Sequence, residues 1–598
     1  MKRTADCGTL RKADAGRNVI LNGWVHRKRN HGGIFFINLR DRYGVTQVTV
    51  NTENDALLAA VCDELRNEYC IAVEGKVCLR PDDMINLSMD TGEIEIAAYK
   101  IVILNKCEVL PFQIDEESKA NEDLRLKYRY LDLRSGAMQN SIKMRSRTAF
   151  AVREWMTANG FYEIETPTFI KSTPEGARDF LVPSRLYPGK FYALPQSPQL
   201  YKQILMVSGF DKYFQIARCY RDEDSRGDRQ PEFTQIDIEM SFAGRDDILS
   251  ITEGLMGHVF DKVLNVKLPQ EFRRLTWEDA MEFYGSDKPD LRFDMRLKDF
   301  SQFAQAGSFQ AFKDAISAGG TVKALVVKGR ADYSRKQIED LESHAKIYKA
   351  KGMAWMKAVN NTESAANNGQ LSFEGGAAKF FTGNAAQIID GLGAEKGDLV
   401  LIIADADRKI ANTALGAVRT KLGRDLGLCD PKKFEFAWII DFPMFEFNED
   451  GQKWEAAHHL FTWPQEKYHE TMESDPGSVK GDLYDLVLNG YELASGSIRI
   501  HDSAMQNRVF KIAGIDPGEA EKKFGFLTEA FKYGAPPHGG IAPGLDRLVM
   551  IMAGLSSLKD VIAFPKNSFA VSPMDDCPSE VDQKQLDELG ITVKKKGV

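Results

Sequence analysis

The sequence predicts an α+β chain of several domains. A small β-barrel comes first, then a large antiparallel sheet interrupted by an inserted α+β domain, then a short C-terminal extension. Three observations carry this reading. Residues 18–104 hold five apolar or alternating runs with one helical run between the third and fourth. Two hairpins, at residues 212–241 and 484–500, each put charged side chains on one face and apolar ones on the other. Between them, residues 291–425 turn to Ala/Gly-rich helices and short strands with no catalytic constellation. The expected boundaries are barrel 1–105, connector 106–140, sheet domain 141–290 and 426–570, insertion 291–425 and extension 571–598. A length of 598 residues suits several domains at ~150 residues each.

The barrel strands are NVILNGWV (18–25), GIFFINL (33–39), VTQVTV (45–50), CIAVEGKVCL (70–79) and GEIEIAAYKIVIL (92–104). The helix is NDALLAAVCDELRNEY (54–69). Five strands with a helix in that position fit an OB-fold, which reads single-stranded nucleic acid on exposed aromatics beside a basic groove. Phe36 and Gln47 fall on successive strands near the basic stretch Arg27, Lys28, Arg29, His31 and Arg40. On pattern alone a core position is the favoured reading of Phe36.

The connector ends in LRLKYRYLDLR. A helical run, KMRSRTAFAVREWMTANG (143–160), stops at glycine, and FYEIETP (161–167) reads as a strand ended by proline. SPQLYKQILMV (197–207) starts a helix with Ser197 as N-cap and Pro198 at the first helical position. Gln199 and Lys202, three apart, then share a helix face.

The hairpin KYFQIARCYRDEDSRGDRQPEFTQIDIEMSF follows. On its return strand Phe233, Gln235, Asp237 and Glu239 share one face, and Ile236, Ile238 and Met240 the other. With Arg221 the first face carries too much charge to be packed dry unless a ligand sits there. A solvated sheet face is the alternative. Arg221 has the planar fork that grips a phosphate bidentately, which lysine lacks, and Phe233 suits a flat ring. Arg218 has the opposite parity and reads as structural.

The second hairpin turns at Asn489-Gly490. That turn sets Val487 opposite Glu492 and Asp485 opposite Ala494. Asp485 and Glu492 become diagonal neighbours, and two carboxylates so placed suit Mg²⁺ brought by substrate phosphates. Arg499 has the wrong parity for this face, so a bulge is expected in Ser495-Gly496-Ser497 to re-aim it. In GAPPHGGIAPGLDRLVMIMAG (534–554), glycines lead into an apolar helix with Arg547 in its first turns, a placement suited to a polyphosphate.

Composition bounds the rest. The formal net charge is −8, so nucleic-acid binding requires local basic patches. The eight cysteines include no CxxC pair, which argues against a structural zinc site or disulfide framework. The first residues lack an apolar core, and no apolar run approaches eighteen residues. A cytoplasmic, non-membrane protein is expected.

Several of these stretches carry a family resemblance that spans the chain. PEFTQIDIE (231–239), with Arg221 before it, resembles motif 2 of class II aminoacyl-tRNA synthetases; GGIAPGLDRL (539–548) resembles motif 3 and FYEIETP motif 1. TPEGARDFLVPSR (173–185), ALPQSPQLYKQ (193–203), HHLFT (458–462) and GYELASGSIRIH (490–501) are similar to the bacterial-type aspartyl-tRNA synthetases.

The resemblance implies an OB-fold anticodon domain, a class II antiparallel-sheet catalytic domain and a homodimer built on motif 1. It implies ATP, L-aspartate and tRNA(Asp) as substrates and Mg²⁺ as cofactor. Catalysis would rest on Arg221, Glu492 and Arg547. ATP would meet Arg221, Asp222, Glu223, Gln230, Phe233, Glu492, Gly544, Leu545, Asp546 and Arg547, and Asp485 and Glu492 would hold the metal. Aspartate would meet Glu175, Ser197, Gln199, Lys202, Arg221, Asp237, His458, His459 and Arg499: Lys202 and Arg499, oriented by Asp237, would take its side-chain carboxylate, and Glu175, helped by Ser197 and Gln199, would meet its ammonium. Arg226 and Arg229 would face the tRNA acceptor end as well as ATP. The anticodon would lie on Arg27, Arg29, Phe36 and Gln47, which moves Phe36 from core to base stacking.

Two positions bear on whether tRNA(Asn) is charged too. The tip at His31-Gly32-Gly33 resembles the relaxed members. Asp83 stands where those members tend to have glycine, and the expectation is a strict enzyme. An ATP-dependent amide ligase needs no such barrel. A dead synthetase fold kept for nucleic-acid binding would be expected to have lost Arg221 or Arg547.

Overall fold

The structure is a computed structural model that describes residues 2–115, 120–173, 177–224, 227–360 and 371–594. The chain falls into two compact units, Met1–Ile142 with Ser572–Cys577, and Lys143–Val571 with Pro578–Val598.

The first unit holds a closed barrel: β1 (Asn18–His31), β2 (Ile34–Asp41), β3 (Gly44–Asn51), β4 (Cys70–Leu79) and β5 (Ile94–Asn105), in the order β1-β2-β3-β5-β4. The helix Ala56–Glu64 lies between β3 and β4, capped by the Asp55 side chain on Leu58 N–H. Val19, Leu21, Val25, Phe35, Ile37, Leu39, Val48 and Val50 fill the interior at every second position. β1 runs on to His31 and carries one bulge. Val25 pairs with Leu39 but Arg27 pairs with Asn38, so His26 is the extra residue. The bulge moves Arg27 and Arg29 off the inward parity of Val25.

The second unit is built on an eight-stranded sheet. Its first part contributes β6 (Tyr162–Glu163), β9 (Lys212–Tyr220), β10 (Glu232–Ser241) and β11 (Arg273–Thr276), with a separate hairpin of β7 (Leu181–Pro183) and β8 (Phe191–Ala193). An insertion follows, with β12 (Leu297–Asp299), β13 (Thr321–Val327), β14 (Ala354–Asn360), β15 (Leu371–Glu374) and β16 (Leu399–Asp405). The sheet resumes with β17 (Phe436–Ile440), a hairpin of β18 (Phe445–Asn448) and β19 (Lys453–Ala456), then β20 (Leu483–Leu488), β21 (Tyr491–Ile498) and β22 (His538–Pro543). The order is β11-β17-β20-β21-β22-β10-β9-β6, antiparallel except for the edge pairs β11–β17 and β6–β9.

One face of this sheet is the core. Ile236, Ile238, Trp438, Tyr484 and Leu486 pack there against the helices Arg245–Leu264 and Leu545–Met552. The opposite face is left for chemistry. β22 crosses it as glycine because nothing larger fits: a Cβ on Gly540 would lie 1.9 Å from Glu239 Oε2.

The insertion forms its own sheet, β12-β13-β16-β14-β15, with helices on both faces. Leu325, Val327 and Leu401 meet the helices Arg335–Ile347 and Arg408–Asp425. Val322, Ala324 and Ile402 meet Phe300, Phe312 and Ile388 on the other side. Buried Arg419 ties it down by donating to the carbonyls of Asp290 and Phe293 and lying over the Phe293 ring. Among the described residues no helix is long and apolar enough to cross a membrane.

Candidate active site

On the open face of β10, the parity read from sequence holds: Phe233, Gln235 and Asp237 line a cavity of about 540 Å³. The helix Gln199–Val207 crosses this face and buries Gln199, Lys202 and Gln203 against it. Its start differs by one residue from the expectation. Pro198, with φ −70°, is the N-cap and not the first helical residue. The Ser197 hydroxyl still accepts from Gln199 N–H at 3.3 Å.

The charge on the β10 face is compensated from within. Lys202 Nζ lies 2.9 Å from Asp237 and 3.1 Å from Glu239. Arg499 Nε donates to Glu239 at 3.0 Å, and its Nη1 donates to Ser497 Oγ at 2.9 Å. Lys202 and Arg499 are only 1–2% exposed. Burial opposes ionisation of Glu239, but Arg499 and Lys202 outweigh it and hold its pKa below the ordinary range. Burial wins at Asp237 and raises its pKa, against the pull of Lys202. Sequence parity placed Glu239 here; its role as the shared anchor of both cations emerges only from the fold.

Arg499 reaches this face by a route other than the expected one. β21 is regular through Ser495-Gly496-Ser497, so the bulge expected there is absent. The irregularity lies earlier: Val487 pairs with Glu492 but Leu486 pairs with Ala494, which leaves Leu493 as the extra residue. Asp485 is consequently opposite Ser495 and not Ala494. One inserted residue flips all that follows, so Ser495, Ser497 and Arg499 join the face of Glu492. Asn489 and Gly490, with φ 53° and 86°, form the turn that sets this register.

Asp485 is fully enclosed. Burial, and then the charge of Glu492, push its carboxyl well above the usual range. Its Oδ1 has no hydrogen-bond partner. A buried, orphaned carboxylate oxygen beside a second carboxylate fits a cation. Among the described residues no cluster of three or more His, Cys, Asp or Glu forms a complete metal cage. The pair suits Mg²⁺ that arrives with phosphate oxygens of its own.

The other end of the cavity is lined by Arg221, Glu223, Gln230, Phe233, Gly544, Asp546 and Arg547. The Arg221 guanidinium lies over the Phe233 ring, 5.0 Å from its centroid. One ring face is therefore covered, and a nucleobase has the other face or displaces the arginine. Arg547 donates to the Glu492 carbonyl and, at 3.4 Å, to the Asp228 carbonyl. Both contacts can be exchanged for a phosphate.

Of the positions assigned to ATP, Leu545 and Asp222 are outside the lining, while Gln230 and Asp546 line the cavity with their polar groups held by the protein. The Leu545 side chain packs in the core. The Asp546 carboxylate accepts from Thr234 N–H at 2.7 Å and from Arg145. Helical spacing explains Leu545, since Gly544 and Arg547 share a face that it does not. Asp222 is outside the lining and lies 3.6 Å from Arg178. The Gln230 amide is bound at both ends to the Lys566 backbone. Glu175 and Arg226 lie outside the described residues. Arg229 pairs with Glu223 at 3.1 Å, and Arg218, which is outside the lining, bonds Glu232 and Thr234.

His458 and His459 both line the cavity, in a loop and not in a strand. His458 packs edge-on against Phe442, and burial lowers its pKa. Burial, then Arg499, take His459 well below the ordinary histidine value. Its neutral ring stands 3.0 Å from Arg499 Nη1 and 3.3 Å from Ser497 Oγ. Gln235, Ser495 and Gln196 also line the cavity. Parity placed Gln235 on this face; nothing local marks Gln196.

In the first unit, the bulge at His26 sets up an exposed basic face. Arg29 stands opposite Phe36, and Arg27, Asn38 and Gln47 form a row across β1, β2 and β3. Arg27 and Arg29 are exposed, and Phe36 is half-buried outside the core. His31 packs edge-on against Phe36, with centroids 6.0 Å apart. Gln47 donates to Glu95 at 2.9 Å. Asp83 is exposed in the short helix Asp82–Met84.

Known proteins match this arrangement along the whole chain. The family model described as tRNA synthetases class II (D, K and N) matches residues 121–568. The model described as OB-fold nucleic acid binding domain matches residues 19–104. A Treponema denticola protein named aspartate–tRNA(Asp/Asn) ligase is 68% identical over 596 residues, covering 100% of both chains. A Macrococcus caseolyticus protein named aspartate–tRNA ligase is 50% identical, covering 98% of each. The asparaginyl-tRNA synthetase of Pyrococcus horikoshii complexed with asparaginyl-adenylate shares the fold, with a TM-score of 0.58 at 18% identity over 94% of this chain and 98% of that one. The fold, the cavity and these matches agree: the chain belongs to the class II tRNA synthetases of the D, K and N group.

Proposed function

We propose that this chain is an aspartate–tRNA ligase. It activates L-aspartate with ATP and transfers it to the 3′ end of tRNA(Asp). The observation that carries the reading is the pair of buried cations, Lys202 and Arg499, lining the same cavity as Arg221 and Arg547. A side-chain carboxylate matches that pair. The uncharged amide of asparagine does not, and a site built for a charged group rejects a partner that leaves it unpaired.

In the first step an aspartate α-carboxylate oxygen attacks the α-phosphorus of ATP. The bond to the β-phosphate breaks and pyrophosphate leaves. Arg221 neutralises the charge at the α-phosphate, and Arg547 holds the far end of the triphosphate. Mg²⁺ held by Asp485 and Glu492 would offset phosphate charge. In the second step the terminal ribose hydroxyl of tRNA attacks the acyl carbon and AMP leaves. Positioning and charge neutralisation suffice, with no covalent enzyme intermediate.

The barrel face of Arg27, Arg29, Phe36 and Gln47 takes the anticodon. Residues 106–140 act as a connector and 291–425 as an insertion within the catalytic domain, with 571–598 as a C-terminal extension. Tyr162 on the edge strand β6, with Phe150 and Phe169, is exposed, and these suit a homodimer contact. A soluble, cytoplasmic enzyme fits these substrates.

Aspartate-dependent exchange of pyrophosphate into ATP tests the activation step. Exchange driven by asparagine or lysine in place of aspartate overturns it. A second reading, charging of tRNA(Asn) as well, is favoured by the names of relatives at 68% and 56% identity, Treponema denticola and Treponema pallidum. Those names and the His31 tip weigh against the strict reading drawn from Asp83. Charging purified tRNA(Asp) and tRNA(Asn) in parallel separates the two.

A further inference from the structure

Behind Gln199 runs a buried chain of hydrogen bonds with only one possible direction. His538, fully buried at the start of β22, places Nδ1 2.8 Å from the Pro536 carbonyl. A carbonyl only accepts, so Nδ1 carries the proton and Nε2 is left as an acceptor. Gln203 Nε2 lies 3.1 Å from that Nε2 and must be the donor. The Gln203 carbonyl oxygen is thereby turned the other way, where it accepts from Gln199 Nε2 at 3.2 Å. Each amide orientation follows from the one before it. At the end of the chain, on a cavity-lining residue, the atom left without a described partner is Gln199 Oε1, an acceptor.

We infer that His538 and Gln203 are positioning residues that lock the Gln199 amide with its oxygen toward the cavity, so that the contact with the substrate's α-ammonium that the family resemblance implies for Gln199 is made by an acceptor. The inference rests on the aspartate-activation reading. The cavity's cations serve carboxylate and phosphate, and a cation such as the ammonium needs acceptors. An amide free to flip would present an N–H to it half of the time. Burial keeps His538 from taking a second proton, which preserves its Nε2 as acceptor. The His538 carbonyl also receives Arg499 N–H at 2.9 Å, and a side-chain substitution leaves that bond in place.

The test compares L-aspartate with succinate, which is aspartate without its amino group, on the full-length protein. Wild type, His538→Phe and Gln203→Met are assayed by pyrophosphate exchange, with succinate as competitive inhibitor. His538→Gln, whose amide oxygen can still accept from Gln203, serves as rescue. Thermal melts and the KM for ATP report on folding. In both disruptive variants the KM for aspartate is expected to rise roughly tenfold, the scale of one hydrogen bond to a charged group. The succinate inhibition constant stays within about twofold, and His538→Gln restores the aspartate KM. Equal weakening of aspartate and succinate, or no change in either, overturns the inference. Absence of aspartate-dependent exchange in wild type removes the substrate reading itself, a result distinct from an unchanged ratio in the variants.

Discussion

The barrel face and the cavity face solve one geometric problem and an opposite electrostatic one. In each, a single extra residue in a strand re-aims the arginines that follow, His26 for Arg27 and Arg29 and Leu493 for Arg499. The barrel arginines then stand in solvent, while Arg499 is enclosed with a carboxylate partner. Exposed charge costs little to maintain and binds by releasing counterions, so its grip depends on salt. Enclosed charge is oriented before substrate arrives, and the fold depends on its pairing. Damage to the cavity should therefore cost stability and chemistry together. Damage to the barrel face should cost tRNA alone.

Arg499→Leu tests the first half most severely. It leaves Glu239 enclosed with Lys202 as its remaining cation. Breaking such a buried pair costs about 3–5 kcal/mol of stability. Denaturant melts should show that loss, and aspartate-dependent pyrophosphate exchange should vanish. Retained exchange with normal stability would erase the contrast between the two faces. Arg221→Lys is next. It keeps the charge and loses the fork and the stacking on Phe233, and should cost about 10²–10³ in exchange rate, the scale of one transition-state donor, without a change in the melt.

Asp485 sharpens the point with the opposite sign. Its native pKa is raised, so the native state holds a proton that the unfolded chain releases above the ordinary value of 3.8. Stability therefore falls as pH rises from there through the raised pKa. Asp485→Asn removes that loss. At neutral pH and without metal, the thermal midpoint should rise by about 1 °C per kcal/mol relieved, while Mg²⁺-dependent exchange is lost. A lower midpoint would mean that the carboxylate stabilises the empty site.

The sequence carried strand identity, face parity and family resemblance well, because each is local. The five barrel strands and the β10 face were legible from alternation alone. What escaped depends on register or on distant partners. The Asn-Gly turn located the second hairpin, yet Leu493 resembles any apolar strand residue, and its bulge appears only when β20 and β21 pair. The resemblance to motif 3 implied Leu545 and Asp546 together, but Leu545 packs in the core and the Asp546 carboxylate, at the cavity wall, is held by Thr234 N–H and Arg145. Gln203 and His538 are 335 residues apart and meet only because the helix Gln199–Val207 crosses β10 beside β22. No local pattern marks such a pair.

On the barrel, Phe36→Ala should remove one stacking platform. Base–aromatic stacking contributes about 1–3 kcal/mol per base, so the KM for tRNA should rise roughly 5–150-fold. Pyrophosphate exchange and the melt should be unchanged, because Phe36 lies outside the barrel core. A drop in stability with no effect on tRNA would return Phe36 to a packing role.

The mildest expected effect is the most informative about mechanism. Arg29→Ala removes an exposed cation whose neighbour across the strand pair is Phe36. If Arg29 meets a phosphate, the log–log slope of tRNA affinity against salt should fall by about one unit and the loss should be the same for every anticodon sequence. If it meets a base edge, the slope should hardly move and discrimination between tRNAs should relax instead. Binding measured at several salt concentrations, with tRNA(Asp) and an unrelated tRNA side by side, distinguishes these. A slope change with unaltered discrimination assigns Arg29 to positioning and leaves readout to Phe36 and Gln47. The reverse result makes the bulge at His26 a specificity element in the same sense that Leu493 is one for the cavity.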